Sequence, residues 1–124
     1  MKFAQDTLSE GYVITAYDNT CISINGKTFS DSLIITADKL EENWDIQAIH
    51  TLQHSHIDKL LAFDPEVIII GTGPSLVFPA AEIYAAIINR GIGIEFMDTA
   101  AACRTYNILV SEGRNVVAGL IQSS

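Results

Sequence analysis

Val67-Ile68-Ile69-Ile70 is a continuous apolar run that ends in Gly71-Thr72-Gly73-Pro74. A short apolar run bounded by turn residues is typical of a strand buried on both faces, which is the usual situation in a parallel sheet. The glycines then lead the chain towards a helical pattern. Because ligands of open α/β sheets bind at the carboxyl edge of the strands, the stretch predicts where a site lies, but not its chemistry.

The segment after this run predicts a helix with recognisable ends. Pro79 fits the first helical position, and Gly91 fits the position just after the last helical residue. Five residues between them follow helical spacing: Ala80, Ile83, Tyr84, Ile87 and Ile88. The spacing therefore predicts an amphipathic helix that packs on the sheet.

Two further strands and a third helix are expected in the rest of the chain. Apolar runs predict strands over Ile92 to Phe96 and over Val116 to Ile121. Between them, Asp98 or Thr99 is expected to cap a helix that continues to about Val110. The resulting order is β-α-β-α-β, and such units cross over right-handedly to give parallel strands.

The first third of the chain predicts an antiparallel meander. Tyr12 to Tyr17 and Cys21 to Ile24 have strand character, and Asn25-Gly26 is a strong signal for a type I′ hairpin turn back into Lys27 to Phe29. Ser32 to Thr36 predicts another short strand. The predicted fold class is therefore α/β: a single domain over residues 1–124, three-layered, with the meander packed on the C-terminal β-α-β-α-β half.

The linking region has one expected helix. Residues 37–47 are interpreted as an irregular acidic loop with Trp44 as a plug over the core. A helix is expected from about Thr51 to Phe63, because Asp64-Pro65 ends the helical pattern.

Composition excludes several classes of protein. The 124 residues are 48% apolar, which excludes overall disorder, and the net charge of −8 disfavours nucleic acid and anionic lipid. No apolar run is long enough to insert into a membrane as a helix, and the polar start gives no secretory signal. Cys21 and Cys103 are far apart, so we expect two free thiols and a reducing, cytoplasmic location.

Three strings resemble one family of small proteins of unknown function. They are Ile69-Ile70-Gly71-Thr72-Gly73, Gly91-Ile92-Gly93-Ile94-Glu95-Phe96-Met97-Asp98-Thr99 and Ala101-Ala102-Cys103-Arg104-Thr105-Tyr106-Asn107. The family includes mitochondrial complex I assembly factor three and the adipogenesis-associated domain protein. The resemblance covers essentially the whole chain. It implies an α/β domain with a small extra β layer and, through the mitochondrial member, a role in protein assembly.

The Gly71-Thr72-Gly73 turn has three interpretations. Its N–H groups and the following helix could hold a small anion, or the turn could be only a connection. A dinucleotide is disfavoured because Leu76 stands where a third glycine belongs and Pro74 lacks an N–H, although Glu95 sits where a ribose-binding acid would. With no P-loop lysine either, we expect no cofactor.

Arg104 and Asn107 are three residues apart, so they share a face of the third helix. Arg104 needs an anionic partner, which could be Glu95, Asp98 or a bound carboxylate, and it is expected to line one concavity with the turn. Cys103 is interpreted mainly as a small buried residue, and its role as a nucleophile is the alternative. The ligand-binding candidates are Gly71, Thr72, Gly73, Glu95, Asp98, Thr99, Cys103, Arg104 and Asn107.

Two functions remain in competition. The favoured hypothesis is a non-catalytic binding or assembly module that recognises a protein partner, with a small anion as a further ligand. The alternative is a small enzyme or metabolite-binding protein that anchors an anionic substrate on Arg104. We assign no catalytic residue and no metal ligand, because His50, His54 and His56 lack a fixed ligand geometry. The oligomeric state stays open.

Overall fold

The N-terminal part of the chain forms a small antiparallel sheet. The structure, a computed structural model, describes residues 11–18 and 21–122. Strands β1 (Ile14–Tyr17), β2 (Ile22–Ile24) and β3 (Lys27–Phe29) pair in chain order. Asn25 and Gly26 between β2 and β3 have φ angles of 51° and 88°, which confirms the predicted hairpin.

A five-stranded mixed sheet forms the centre of the molecule. Its strands are β4 (Leu33–Ile35), β5 (Leu40–Glu41), β6 (Val67–Gly71), β7 (Gly93–Met97) and β8 (Val116–Leu120), in the order β5-β4-β8-β6-β7. β6 runs parallel to both β7 and β8, as the β-α-β-α-β order predicts, whereas β4 is antiparallel to β5 and β8. β5 lies in the segment that was expected to be irregular.

The helices correct two of the predicted boundaries. A 3-10 turn (Ile49–Thr51) precedes α1 (His54–Leu61), and Gln53 between them is extended, so the helix expected from Thr51 begins at His54. The second helix, α2 (Ala81–Asn89), has Ala80 as its N-cap, so the assignment of Pro79 to the first helical position is wrong.

The third helix, α3 (Thr99–Ser111), begins after Asp98, which is one of the two residues predicted to cap it. Asp98 is its N-cap, and the carboxylate of Asp98 accepts a hydrogen bond from the N–H of Ala101 at 2.9 Å. This bond satisfies one of the backbone donors that a helix leaves unpaired at its N-terminus.

Two cores lie on opposite faces of the mixed sheet. Alternate residues of β6 point to different cores, since Ile68 and Ile70 pack under α1 and α2 while Ile69 packs under α3. The first core also contains Trp44, Leu60 and Ile87. The second joins α3 to the small sheet. These layers confirm the predicted three-layer α/β fold with an added meander.

Among the helices of the described residues, α3 is the longest, with 13 residues. Across residues 11–18 and 21–122, no helix has the length and apolar character needed to cross a membrane. Cys21 and Cys103 are both unpaired, as expected.

Candidate functional site

The first two backbone N–H groups of the turn after β6 form hydrogen bonds with other parts of the protein. The N–H of Thr72 donates to the carbonyl of Met97 at 2.8 Å, and the N–H of Gly73 donates to the hydroxyl of Thr99 at 2.8 Å. Pro74 has no N–H to offer. The donors that the sequence assigned to an anion are therefore occupied, and they fasten the loop to β7 and α3.

Gly71 is required by a close approach of α3. A Cβ atom at this position would lie 2.9 Å from both the Cα and the Oγ1 of Thr99. The buried hydroxyl of Thr99 in turn donates to the carbonyl of Ile121 at 2.9 Å. The absence of a side chain at Gly71 thus lets one threonine join the ends of β6 and β8 to the first turn of α3.

A cavity of about 130 Å³ opens beside this junction. Three of the nine candidate residues, Gly73, Asp98 and Thr99, lie in its wall, and Asp18 adds a second carboxylate. Both carboxylates already accept hydrogen bonds, Asp98 from the N–H of Ala101 and Asp18 from the N–H of Cys21 at 3.0 Å. Two carboxylates in one wall favour a cation or a hydrogen-bond donor over an anion.

Arg104 lies outside the wall of this cavity, on the exposed side of α3. Its Nη1 donates to the hydroxyl of Tyr17 at 3.3 Å, and this hydrogen bond raises the pKa of the guanidinium above its ordinary value. Within residues 11–18 and 21–122 it forms no salt bridge with Glu95 or Asp98. Arg104 is therefore an exposed permanent charge beside the cavity, not half of a buried ion pair.

Asn107 has a structural task. Its side-chain nitrogen donates to the carbonyl of Ile14 at 2.7 Å, and its side-chain oxygen accepts the N–H of Ile14 at 3.1 Å. The amide replaces a strand partner for one residue of β1, at the point where the register of β1 against β2 shifts. Asn107 thereby attaches the small sheet to α3.

Cys103 and Glu95 are not brought to the cavity. Cys103 is fully buried, and burial raises the pKa of its thiol to about 12, so the thiol is protonated at neutral pH and out of reach of a substrate. Glu95 is exposed on β7, and it is not part of the cavity wall. Cys103 therefore cannot act as the nucleophile that the enzyme hypothesis offered.

The histidines do not form a metal site in the described part of the chain. His56 accepts the N–H of Gln53 on Nδ1 at 2.9 Å and lies with Nε2 2.7 Å from the carbonyl of Asp45. Its ring also meets Trp44 edge-on, at 6.1 Å between centroids. His56 therefore ties the acidic loop to the start of α1.

The feature that sequence reasoning missed is the exposed loop Leu76-Val77-Phe78, which follows the turn. The exposed fractions of these side chains are 50%, 41% and 65%. Thr72 holds the loop in place, because its hydroxyl donates to the carbonyl of Ser75 at 2.6 Å and accepts the N–H of Val77 at 3.2 Å. Three successive apolar residues between Pro74 and Pro79, outside any helical spacing, were the available signal.

Phe78 continues this apolar surface onto the edge of the mixed sheet. Its ring lies edge-on to Phe96 of β7 at 5.9 Å, and Tyr84 of α2 lies 5.0 Å from the same ring. A contiguous exposed apolar surface is typical of interaction sites. Fold and site together define a small α/β domain with an exposed apolar loop at the edge of its mixed sheet.

The chain belongs to the family described as "Protein of unknown function (DUF498/DUF598)", whose model matches residues 14–121. It is 40% identical to the "13 kDa major membrane protein" of Francisella tularensis over 94 residues, which are 75% of this chain and 76% of that protein. It is also 33% identical to NADH dehydrogenase (ubiquinone) 1 alpha subcomplex assembly factor 3 of Danio rerio, over 98% of this chain and 70% of that protein.

The fold has a solved counterpart. A crystal structure of a Bordetella parapertussis protein superposes with a TM-score of 0.87 at 31% identity, covering 94% of this chain and 99% of that one. The family predicted from the three sequence strings is thus confirmed. The relatives of the chain include a complex I assembly factor.

Proposed function

We propose that the protein acts as a single-domain, non-catalytic module, like an assembly factor, and that it recognises a protein partner through the loop Leu76-Val77-Phe78. The observation that carries the proposal is the exposure of three apolar side chains on a loop clamped by Thr72. The name of the Danio rerio relative, an assembly factor, supports the same class of function.

The clamp makes the loop suited to binding. A side chain that is already ordered loses less conformational entropy when a partner covers it, so more of the burial free energy appears as affinity. Large aromatic side chains near the centre of an interface contribute most of its affinity. Phe78 is therefore the expected anchor.

The cavity beside Gly73 provides a second, polar contact for the same partner. Asp98 in its wall suits a donor or cationic group, whereas the exposed guanidinium of Arg104 suits a carboxylate. A small anion, if bound, would be held by Arg104, because the turn has already used the N–H groups of Thr72 and Gly73.

Replacing Phe78 should strongly weaken partner capture. We expect Phe78→Ala to reduce the recovery of specific partners from a lysate of the source organism by at least about tenfold, the loss typical of a hot-spot residue. Quantitative mass spectrometry of material bound to the immobilised protein measures this. Arg104→Lys in the same assay tests the guanidinium, because it keeps the charge but loses the paired donors.

Ile108→Ala is the matched control. Ile108 lies on α3 with an exposed fraction of 56%, close to that of Phe78, and it is not part of the loop. The control should retain its partners. Equal recovery with Phe78→Ala and wild type, or equal loss with both variants, would contradict the proposal.

We also propose a cytoplasmic setting, which the two unpaired thiols support. Because the Francisella tularensis relative is named a membrane protein, fractionation of source cells is the appropriate measurement. We expect recovery in the cytosolic fraction, and recovery in the washed membrane pellet would contradict this setting.

A further inference from the structure

The outer edge of β7 indicates the kind of partner, and we call it the free edge because no strand of residues 11–18 and 21–122 pairs with it. β7 is the last strand of the mixed sheet, and in residues 11–18 and 21–122 it pairs only with β6. The N–H of Gly93 donates to Glu66 and the carbonyl of Met97 accepts from Thr72, so these groups point towards β6. Since backbone groups alternate along a strand, those of Ile94 and Phe96 point away from the sheet.

The two faces beside this free edge differ in chemistry. On the α2 face lie Ile94 and Phe96, and Phe78 and Tyr84 extend that apolar surface. On the opposite face Glu95 is exposed, midway along β7. A strand added to this edge would therefore place alternate side chains over the aromatic rings and beside Glu95.

We propose that the partner adds an extended strand to the free edge of β7, with apolar side chains on the Phe78 face and a basic side chain opposite Glu95. Such strand addition takes its affinity from main-chain hydrogen bonds and its specificity from alternate side chains. The inference rests on the proposed function and specifies its partner.

Charge selects this occupant over a second copy of the chain. In a two-fold antiparallel pair of full β7 strands, Glu95 is the central residue of Gly93–Met97 and would face Glu95 of the other copy. Like charges directly opposite each other destabilise a strand pair, and both chains would carry a net charge of −8. With a basic strand, the interaction opposite Glu95 and the interaction between the net charges of the two molecules are both attractive.

The test uses two capped peptides of about seven residues, a common strand length. One alternates valine with lysine, and the other alternates valine with glutamate. In NMR titrations of the isotope-labelled protein, the lysine peptide should shift the amide signals of Ile94 and Phe96 and slow their hydrogen exchange. The glutamate peptide should bind at least about tenfold more weakly, because one opposed charge pair changes sign.

Charge reversal supplies the matched variants. Glu95→Lys should reverse the preference between the peptides, whereas Glu112→Lys, the same change of net charge at the end of α3, should leave it unchanged. Shifts centred away from β7, equal binding of the two peptides, or reversal by both variants would overturn the proposal. Sedimentation that showed pairs of wild-type with Glu95→Lys chains would identify a second copy as the occupant and overturn it too.

The outcomes separate this inference from the proposed function. Failure of the peptides while capture still depends on Phe78 would reject strand addition and leave partner recognition by the loop intact. Conversely, Phe78→Ala could leave both peptide binding and partner capture unchanged. That result would reject the loop as the recognition site and leave the edge of β7 as the binding element.

Discussion

Gly119→Ala is expected to lower the free energy of unfolding by about 3 kcal/mol, the upper part of the range for overpacking a core. Gly119 lies in β8, between β4 and β6 in the mixed sheet. A Cβ atom there would lie 2.7 Å from the Cζ3 and Cη2 atoms of Trp44 and 3.3 Å from Leu60. Trp44 is only 2% exposed and packs within the first core, so moving its ring would disturb that packing. Urea denaturation measures the loss.

A double-mutant cycle isolates the contact. Trp44→Phe removes the distal atoms that the new methyl group would meet, so Gly119→Ala should cost at least about 1 kcal/mol less in that background. Trp44→Phe alone is destabilising because it leaves a cavity, although it also removes a buried indole N–H that has no partner among the described residues. Strict additivity of the two changes would contradict the contact.

The C-terminal half of the fold was predictable because its signals are local. The apolar run at Val67, the helical spacing from Ile83 to Ile88 and the Asp98 cap each depend on a few neighbouring residues. β5 was not predictable in this way, since Leu40 and Glu41 form a strand only by pairing with Ile35 and Ile34. The sequence of a two-residue strand has too few positions to show a period.

Only part of the candidate site matches the sequence prediction, since Gly73, Asp98 and Thr99 line the cavity whereas the other six candidates do not. Turn residues after a buried strand predicted an edge with exposed N–H groups. The partners of those groups, the carbonyl of Met97 and the hydroxyl of Thr99, lie far along the chain, and only the fold brings them to Thr72 and Gly73. Because these donors are used, the proposed recognition rests on the apolar loop and on the edge of β7 that has no strand partner within residues 11–18 and 21–122.

The same junction explains why glycines that look alike in sequence have different tasks. Gly71 makes room for α3, whereas Gly73 has a φ of +103° and open space where a Cβ would stand. Glycine is therefore required at position 73 by the backbone conformation, and at position 71 by the close contact with α3. Neither requirement involves a bound anion, although both produce the glycine pattern that suggested one.

Gly71→Ala should lower the free energy of unfolding by about 3 kcal/mol, because the new methyl group would overlap a helix backbone that no rotamer change can move. It would lie 2.9 Å from the Cα of Thr99 and 3.1 Å from the Cβ of Ala102. Pushing α3 away would also stretch the bonds from Thr99 to Gly73 and Ile121. Thermal and urea unfolding, followed by circular dichroism, measure the loss.

Gly93→Ala in the neighbouring strand provides the control, since a Cβ there would meet its nearest atoms at an ordinary 3.9 Å. Its effect should stay within about 0.5 kcal/mol, as for substitutions that disturb no packing. A large loss for Gly71→Ala with none for Gly93→Ala would locate the cost at the contact between β6 and α3. Equal losses would instead mean that these strands tolerate no added side chain, and Gly71 would then have no special part in seating α3.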